Sequence, residues 1–389
     1  MNIQAILTAD NHLNKNYRKM KPNQLEQRRK YLSTNFERTI EYAINEKVDL
    51  YLHAGDLFDM PNPRNPPLIK VTESLRRLHE SGIKAYLISG THDTPKMKTA
   101  AGGASPQKIF QAQGHAHVFT KVTKIETHKS TINGQDVVVG GMSTNPILDR
   151  GCPLEGKQFP EHGDINILLL HYGIEDHAPI GLKEPLISHH SIASLDNVDC
   201  VCVGHIHEHK KFKVGNKTVI IPGSTEKMNF GEKDNSTGFY FLEFDNRGNI
   251  NAEYIPIESQ KMDEIVINAA DIPEDEPNEY ILEKVKSVSS PNQLLKLKLI
   301  GLIQRSRYHK LRIRDLWLKG NDLNFSFNIE DKFLIESEDY DYGGERLSQK
   351  EEIIQIARQL EEVCRTDSER KIIKMAKNLV LSKYVEGES

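Results

Sequence analysis

Aspartate and histidine recur through the first half of this chain in five short clusters: Asp10-Asn-His12, Gly55-Asp-Leu-Phe-Asp59, Gly90-Thr-His-Asp93, His171 and Gly204-His-Ile-His207. Carboxylates and imidazoles hold divalent cations, and a carboxylate shared by two ions is a common bridge in hydrolytic two-metal sites. Taken singly the clusters say little, because DxH or GDxxD arises by chance in many chains. Their setting says more. Each follows an apolar run and delivers an Asp or His at its end, and glycines in the clusters let the backbone turn there. The alternative to one shared centre is a set of unrelated strand ends that happen to be polar.

The runs that must position these residues read as strands: Ile3–Thr8, Val48–His53, Ala85–Ser89, Val137–Gly141, Ile165–Leu170, Cys200–Val203 and Val219–Ile221. Between them lie helical stretches, Leu25–Asn45 and Leu68–Ser81, the latter closed by Gly82 as a C-cap. Alternating strands and helices predict an α/β domain with its site on the loops after the strand C-termini. Two sheets packed face to face with helices outside would accommodate both this part and the strand-rich segment up to Gly238–Phe244. With 389 residues, two or three domains are expected at about 100–200 residues each.

Composition shifts after residue 260. Residues 271–279 hold five acids, two prolines and no base. Residues 280–328 read as a small α/β module, and a second acidic stretch runs from Glu330 to Glu345. Beyond it, Ile353, Ile356, Leu360 and Val363 share one helical face, and Ile372, Ala376 and Leu379 another. The resulting division is 1–260 α/β domain, 261–330 small α/β module, 331–346 acidic linker and 347–389 helical tail. Four cysteines do not make a disulfide framework in a chain this long. Cys200 and Cys202 read as buried thiols on one strand face; a CxC metal site would lack a second pair. No apolar run is long enough to cross a bilayer. The opening MNIQAILTADNH enters a strand directly, without the features of a signal peptide, so an intracellular, cytoplasmic protein is expected. The net charge of −4 does not by itself advertise nucleic-acid binding.

The ordered clusters resemble the signature of the calcineurin-like metallophosphoesterase superfamily, DxH, GDxxD, GNH[DE], H and GHxH. The stretch Ile221-Pro-Gly-Ser-Thr-Glu226 with Gly231 and Gly238-Phe-Tyr is similar to the segment that follows the last motif in the SbcD and Mre-eleven DNA-repair nucleases. The resemblance implies a four-layer α/β/β/α sandwich, a small α/β cap and a C-terminal helical hairpin. It also implies two Mn²⁺ ions. Asp10, His12, Asp56 and His207 would hold one; Asp56, His171, His205 and the residue at position 91 would hold the other. His92 would stand over the scissile phosphate and support the leaving oxygen while hydroxide attacks in line. Asp59 would orient His92, or alternatively cap a helix. Where the family has Asn this chain has Thr91, a neutral hydroxyl on a shorter β-branched side chain, so the second ion is expected to be held less well.

A second GHxH, Gly114-His-Ala-His117, follows a helical stretch instead of an apolar strand, so Gly114 reads as a helix-terminating glycine. Two basic stretches complete the picture. Lys15–Lys30 carries seven Lys or Arg, and residues 305–319 carry Arg305, Arg307, Lys310, Arg312, Arg314 and Lys319 around Tyr308 and Trp317. Beside a phosphoesterase site they are candidate phosphate contacts. The expected activity is exo- and endonucleolytic processing of DNA ends in double-strand-break repair. The expected partners are DNA, a coiled-coil SMC-like ATPase of the SbcC or Rad-fifty type docked on residues 347–389, and a second copy of the chain, with Leu68–Leu78 as a candidate dimer helix. The alternatives are a DNA-end-binding scaffold disabled by Thr91, and a small-substrate phosphodiesterase or phosphatase.

Overall fold

In the computed structural model, residues 2–95, 105–145, 147–148, 150–178, 184–245, 248–336, 349–364 and 367–386 are described. In chain order the elements are β1 (Ile3–Thr8), α1 (Pro22–Glu46), β2 (Leu50–His53), α2 (Asn65–Glu80), β3 (Lys84–Ile88), α3 (Lys108–Ala112), β4 (His117–Phe119), β5 (Glu126–Ile132), β6 (Gln135–Gly141), β7 (Ile165–His171), β8 (Gly173–Ile174), β9 (Leu186–Ile187), α4 (His189–Ala193), β10 (Cys200–Gly204), β11 (Lys210–Val214), β12 (Lys217–Ile221), β13 (Gly238–Phe244), β14 (Ile250–Pro256), β15 (Met262–Asn268), α5 (Pro277–Val288), β16 (Leu294–Ile303), α6 (Arg305–Tyr308), α7 (Ile313–Leu323), β17 (Ser326–Ile335), α8 (Gln349–Val363) and α9 (Asp367–Glu386).

The fold is mixed α/β. One six-stranded sheet runs β14-β13-β1-β2-β3-β4, and a second runs β11-β12-β10-β7-β6-β5. In the first, β1 to β4 are parallel and β13 and β14 add antiparallel at one edge. In the second, β6, β7, β10 and β12 are parallel and both edge strands, β5 and β11, are antiparallel. Strand alternation sorts the side chains into layers. Ile3, Ala5, Leu7, Leu50 and Leu52 join Val137, Val139, Ile167, Leu169, Cys200 and Cys202 in one core between the sheets. Ile6 and Tyr51, one residue out of phase, point the other way onto Leu32, Phe36 and Ile40 of α1 and Val71, Leu75 and Leu78 of α2. The outer face of the second sheet is covered by loop residues such as Leu154 and Phe159 and by Ile192 of the short α4, so among the described residues the long helices α1 and α2 flank the first of these two sheets and not the second.

Residues 2–334 belong to one compact unit, which includes the three-stranded sheet β15-β16-β17. That sheet has its own core, in which Ile267, Leu295, Leu297, Leu299 and Phe327 pack on Ile281 and Val285 of α5 and Leu316 of α7. β17 runs on to Ile335, into the stretch that reads as acidic linker from composition. The second unit, from Ile335 onward, holds α8 and α9, which expose Ile356, Leu360, Ile372, Met375, Leu379 and Val380. No helix among the described residues is long and apolar enough to cross a membrane.

Local expectations meet the structure closely at several points. Gly82 and Gly114 both take positive φ, +80° and +74°, at helix ends, and His117 enters an ordinary edge strand. Cys200 and Cys202 lie side by side, Sγ to Sγ 3.8 Å, wholly buried. The hairpin β5–β6 escapes the apolar pattern because β5 is polar and half-exposed, although its Asn133-Gly134 turn, with both φ positive, is a strong hairpin signal. On α2 the apolar stripe is used against the sheet, and Ile69 is its one largely exposed apolar residue among those described.

Candidate metal centre

The loops after β1 and β2 continue side by side beyond the sheet. Asp10 N–H donates to Gly55 O (3.0 Å), His12 N–H to Asp56 O (3.0 Å) and Leu13 N–H to Leu57 O (2.9 Å), which holds the first two clusters together. Asp10, His12, Asp56 and His205 all adopt positive φ (+53°, +46°, +52° and +91°). Non-glycine residues seldom sit there, and such strain persists only where surrounding structure imposes it, commonly at functional sites. Two glycines are needed for approach: a Cβ at Gly90 would collide with the Asp56 carboxylate, and one at Gly204 with the Ala54 carbonyl and the His171 ring.

Three overlapping groups have all their donor atoms within 4.8 Å of one another: Asp10, His12 and His207; His12, Asp56 and His92; Asp10, Asp56 and His171. His12 Nε2 lies 3.2 Å from His207 Nε2 and 3.8 Å from Asp56 Oδ2. Asp10 Oδ1 is 3.8 Å from His207 Nε2. His171 Nε2 is wholly buried and 3.2 Å from Asp56 Oδ2. Its other nitrogen donates to Ala54 O at 2.8 Å, since a carbonyl can only accept. That bond turns the Nε2 lone pair inward, as in ligating imidazoles. Lone pairs of two carboxylates and three imidazoles thus face a common interior, a donor set that suits divalent cations.

Electrostatics within the protein follow from this crowding. Burial holds His12 below its ordinary pKa, against Asp59 and Asp56, which raise it. Burial also pulls His171 down, but the Asp56 carboxylate outweighs it and takes the group up to about 9. Asp56, against its own burial, is drawn well below the carboxylate range by His171. A bound dication would replace these protons as the counter-charge.

The remaining expected residues divide. The His92 backbone N–H donates to Asp56 Oδ1 (2.7 Å), and its ring packs edge-on against His12 with centroids 4.8 Å apart, half-exposed toward the outside. Its Nδ1 lies 3.2 Å from the Asp59 backbone carbonyl, whereas the Asp59 carboxylate is nearer to His12 Nδ1 (3.2 Å) and Lys15 Nζ (2.9 Å) than to His92 (3.7 Å). Asp59 caps no helix, because α2 begins at Asn65 with Arg64 in the N-cap position. Thr91 sits half-buried beside His92. His205 donates its backbone N–H to both Asp10 oxygens (3.2 and 3.0 Å), but its ring stands outside the three groups, with Nε2 2.7 Å from Glu184 Oε1.

Several supporting residues were not legible from motif spacing. Glu232 lies 3.0 Å from His207 Nδ1. His53 Nε2 meets Asn11 Oδ1 at 2.6 Å, and Asn11 Nδ2 donates to Thr225 Oγ1 at 2.9 Å. Asp93, the last residue of its cluster, accepts from the backbone N–H of Leu57 (3.1 Å) and Phe58 (2.8 Å), which ties the third cluster to the second. Basic residues also sort differently in space than in sequence. Arg28, in the first basic stretch, is fully buried against Glu226, Nη1 to Oε1 3.2 Å. Arg307 turns inward to the carbonyls of Ile272 and Ala269, while Arg305, Lys310, Arg312 and Arg314 are exposed.

Residues 4–209, a little over half of the 389, match the calcineurin-like phosphoesterase family. Among curated proteins, the chain is similar to the DNA double-strand break repair protein Mre11 of Methanopyrus kandleri, 26% identical over 250 residues, covering 60% of this chain and 53% of that one. It is likewise similar to the Mre11 protein of Methanocaldococcus jannaschii, 27% identical over 250 residues, covering 61% of each. The chain thus spans about half to three-fifths of the length of these relatives. Among solved structures, a dimetal phosphatase from Danio rerio aligns with a TM-score of 0.37 at 12% identity, over 62% of this chain and 92% of that one. The chain belongs to the calcineurin-like phosphoesterase family.

Proposed function

We propose that this phosphoesterase is the nuclease subunit of a DNA-end-processing assembly, acting with two Mn²⁺ ions and an SMC-like coiled-coil ATPase. The observation that carries the metal-dependent reading is the convergence of Asp10, His12, Asp56, His171 and His207, with His171 Nε2 wholly buried and 3.2 Å from the Asp56 carboxylate. The relatives named as DNA double-strand break repair proteins support DNA ends as the substrate. When bound, the ion pair supplies a water that ionises near neutral pH and charge stabilisation for the phosphoryl oxygens. The side chains do the rest. Asp10, His12, Asp56 and His207 hold one ion. Asp56, His171, His205 and Thr91 hold the other. His92, aligned by the Asp59 carbonyl and by its own backbone bond to Asp56, delivers a proton to the leaving oxygen.

In this reading, residues 1–260 form the catalytic domain, and residues 261–330 form a cap whose exposed Arg305, Lys310, Arg312 and Arg314 contact the phosphate backbone. The exposed apolar face of α8 and α9 docks the ATPase, two copies of the chain assemble, and the protein works inside the cell. One observation favours a DNA-end scaffold instead: the His205 ring, assigned to the same ion as Thr91, is bonded to Glu184 and stands outside the converging donors. The deciding experiment incubates the full chain with linear duplex DNA and, separately, with a nitrophenyl phosphodiester, with and without Mn²⁺. Mn²⁺-dependent DNA cleavage is expected. Cleavage of the small ester alone would make it a small-substrate phosphodiesterase. Cleavage of neither, with DNA ends still bound, would make it a scaffold.

A further inference from the structure

The segment that follows the last histidine cluster is pinned far more tightly than a connecting loop requires. After β12, Ser224 N–H donates to His207 O (3.1 Å), and Ser224 Oγ to Glu226 O (2.8 Å). Asn11, inside the first cluster, donates to Thr225 Oγ1 (2.9 Å), and Asn35 of α1 donates to Thr225 O (3.0 Å) and Glu226 Oε2 (3.1 Å). The Glu226 carboxylate is fully buried and paired with the equally buried Arg28. Such a pair is weak evidence for stability and better evidence that a geometry is being held. The 3-10 turn Phe230–Glu232 follows four residues after Glu226.

Glu232 is buried beneath that turn, and all its partners are donors. Met228 N–H donates to Oε2 at 2.7 Å, and the Asn229 amide to Oε1. His207 Nδ1 meets Oε1 at 3.0 Å. An ionised carboxylate only accepts, so the proton of that contact sits on His207 Nδ1. Nε2 is then left as the acceptor nitrogen, and it faces His12 Nε2 at 3.2 Å and Asp10 Oδ1 at 3.8 Å. A carboxylate that holds one imidazole nitrogen fixes both the tautomer and the ring orientation for an ion at the other, and its loss typically weakens metal affinity about 10–100-fold.

We infer that Glu232 is the positioning residue for the ion held by His207, and that the Pro222–Glu232 segment exists to place it. This rests on the metal-binding reading above. The test uses the full chain as wild type, Glu232→Ala and Glu232→Gln. Mn²⁺ binding is measured by titration calorimetry, and the His207 tautomer by ¹⁵N shifts of histidine-labelled, chelator-treated protein. In Glu232→Ala, one of the two Mn²⁺ sites should weaken roughly 10–100-fold while the other is unchanged, and His207 should lose its Nδ1–H preference. Glu232→Gln, which keeps the shape and one acceptor oxygen, should fall between, and it decides the matter if the alanine variant does not fold. Unchanged Mn²⁺ affinities together with an unchanged tautomer in the folded variants would overturn the assignment. Wild-type protein that takes up no Mn²⁺ would instead sink the metal reading, and the tautomer measurement would still decide whether Glu232 orients His207.

Discussion

The two halves of the centre are built from the same residue types and held with unequal care. Around His207, nearly every donor has its second atom occupied: His207 Nδ1 by Glu232, His12 Nδ1 by Asp59 at 3.2 Å, and Asp59 in turn by Lys15. Around His171, one member is held toward the converging donors, through Ala54 O, and His205 is not among them. The His205 ring is bonded to Glu184, and Thr91 presents a short hydroxyl where a longer amide would reach further. The difference teaches that a ligand is specified less by its own identity than by what fixes its far side. Backbone strain is shared by both halves, since Asp10, His12, Asp56 and His205 all hold positive φ. It cannot account for the asymmetry.

The severest break removes what the halves share. Asp56→Ala takes a carboxylate oxygen from both, so Mn²⁺ uptake should fall at both sites and Mn²⁺-dependent DNA cleavage should disappear, while circular dichroism reports an intact fold. Retained cleavage would sink the two-metal assignment. His92→Ala should leave both halves filled if, as proposed, His92 contributes a proton and not a required ligand. Cleavage should drop on the order of a hundredfold, as for loss of a general acid. Metal analysis showing one ion lost would place His92 among the ligands, as its proximity to His12 and Asp56 allows.

Thr91→Asn sharpens the comparison without destroying anything. An added amide oxygen should tighten only the His171 side, by roughly tenfold or ~1.4 kcal/mol, and raise cleavage at low Mn²⁺. DNA affinity measured without metal should not move. Two sites of equal affinity in the unaltered protein would erase the proposed asymmetry. The smallest effect on either half is expected from deleting residues 347–389: Mn²⁺-dependent cleavage should stay within about twofold, because a helix-in-groove contact lies outside the chemistry. Co-purification with the ATPase should be lost, and undiminished binding would show that the apolar face of α8 and α9 docks something else.

Much of the architecture was legible because strand burial writes itself into the chain. The two phases of β1, Ile3-Ala5-Leu7 against Ile6, already imply one face on a shared core and the other on helices. The order of the clusters, each after an apolar run, likewise pointed to loops at strand ends. Polar β5 and the loop cover over the second sheet were not legible, because neither depends on an apolar period. Charge was a poor guide to position. Arg28 and Arg307 look like their basic neighbours in sequence, yet one is buried against Glu226 and the other bonded to backbone carbonyls.

Residue identity by itself determined which atoms this protein can offer a cation, and local apolar periodicity determined that they stand at strand ends. Only the tertiary structure decided which of those atoms are aimed. Aim depends on a second contact from a distant part of the chain: Ala54 for His171 and Glu232 for His207. An imidazole has two nitrogens and one ring orientation to give, so the partner at one nitrogen chooses what the other can hold. No spacing rule encodes a partner 117 residues away, as Ala54 is from His171.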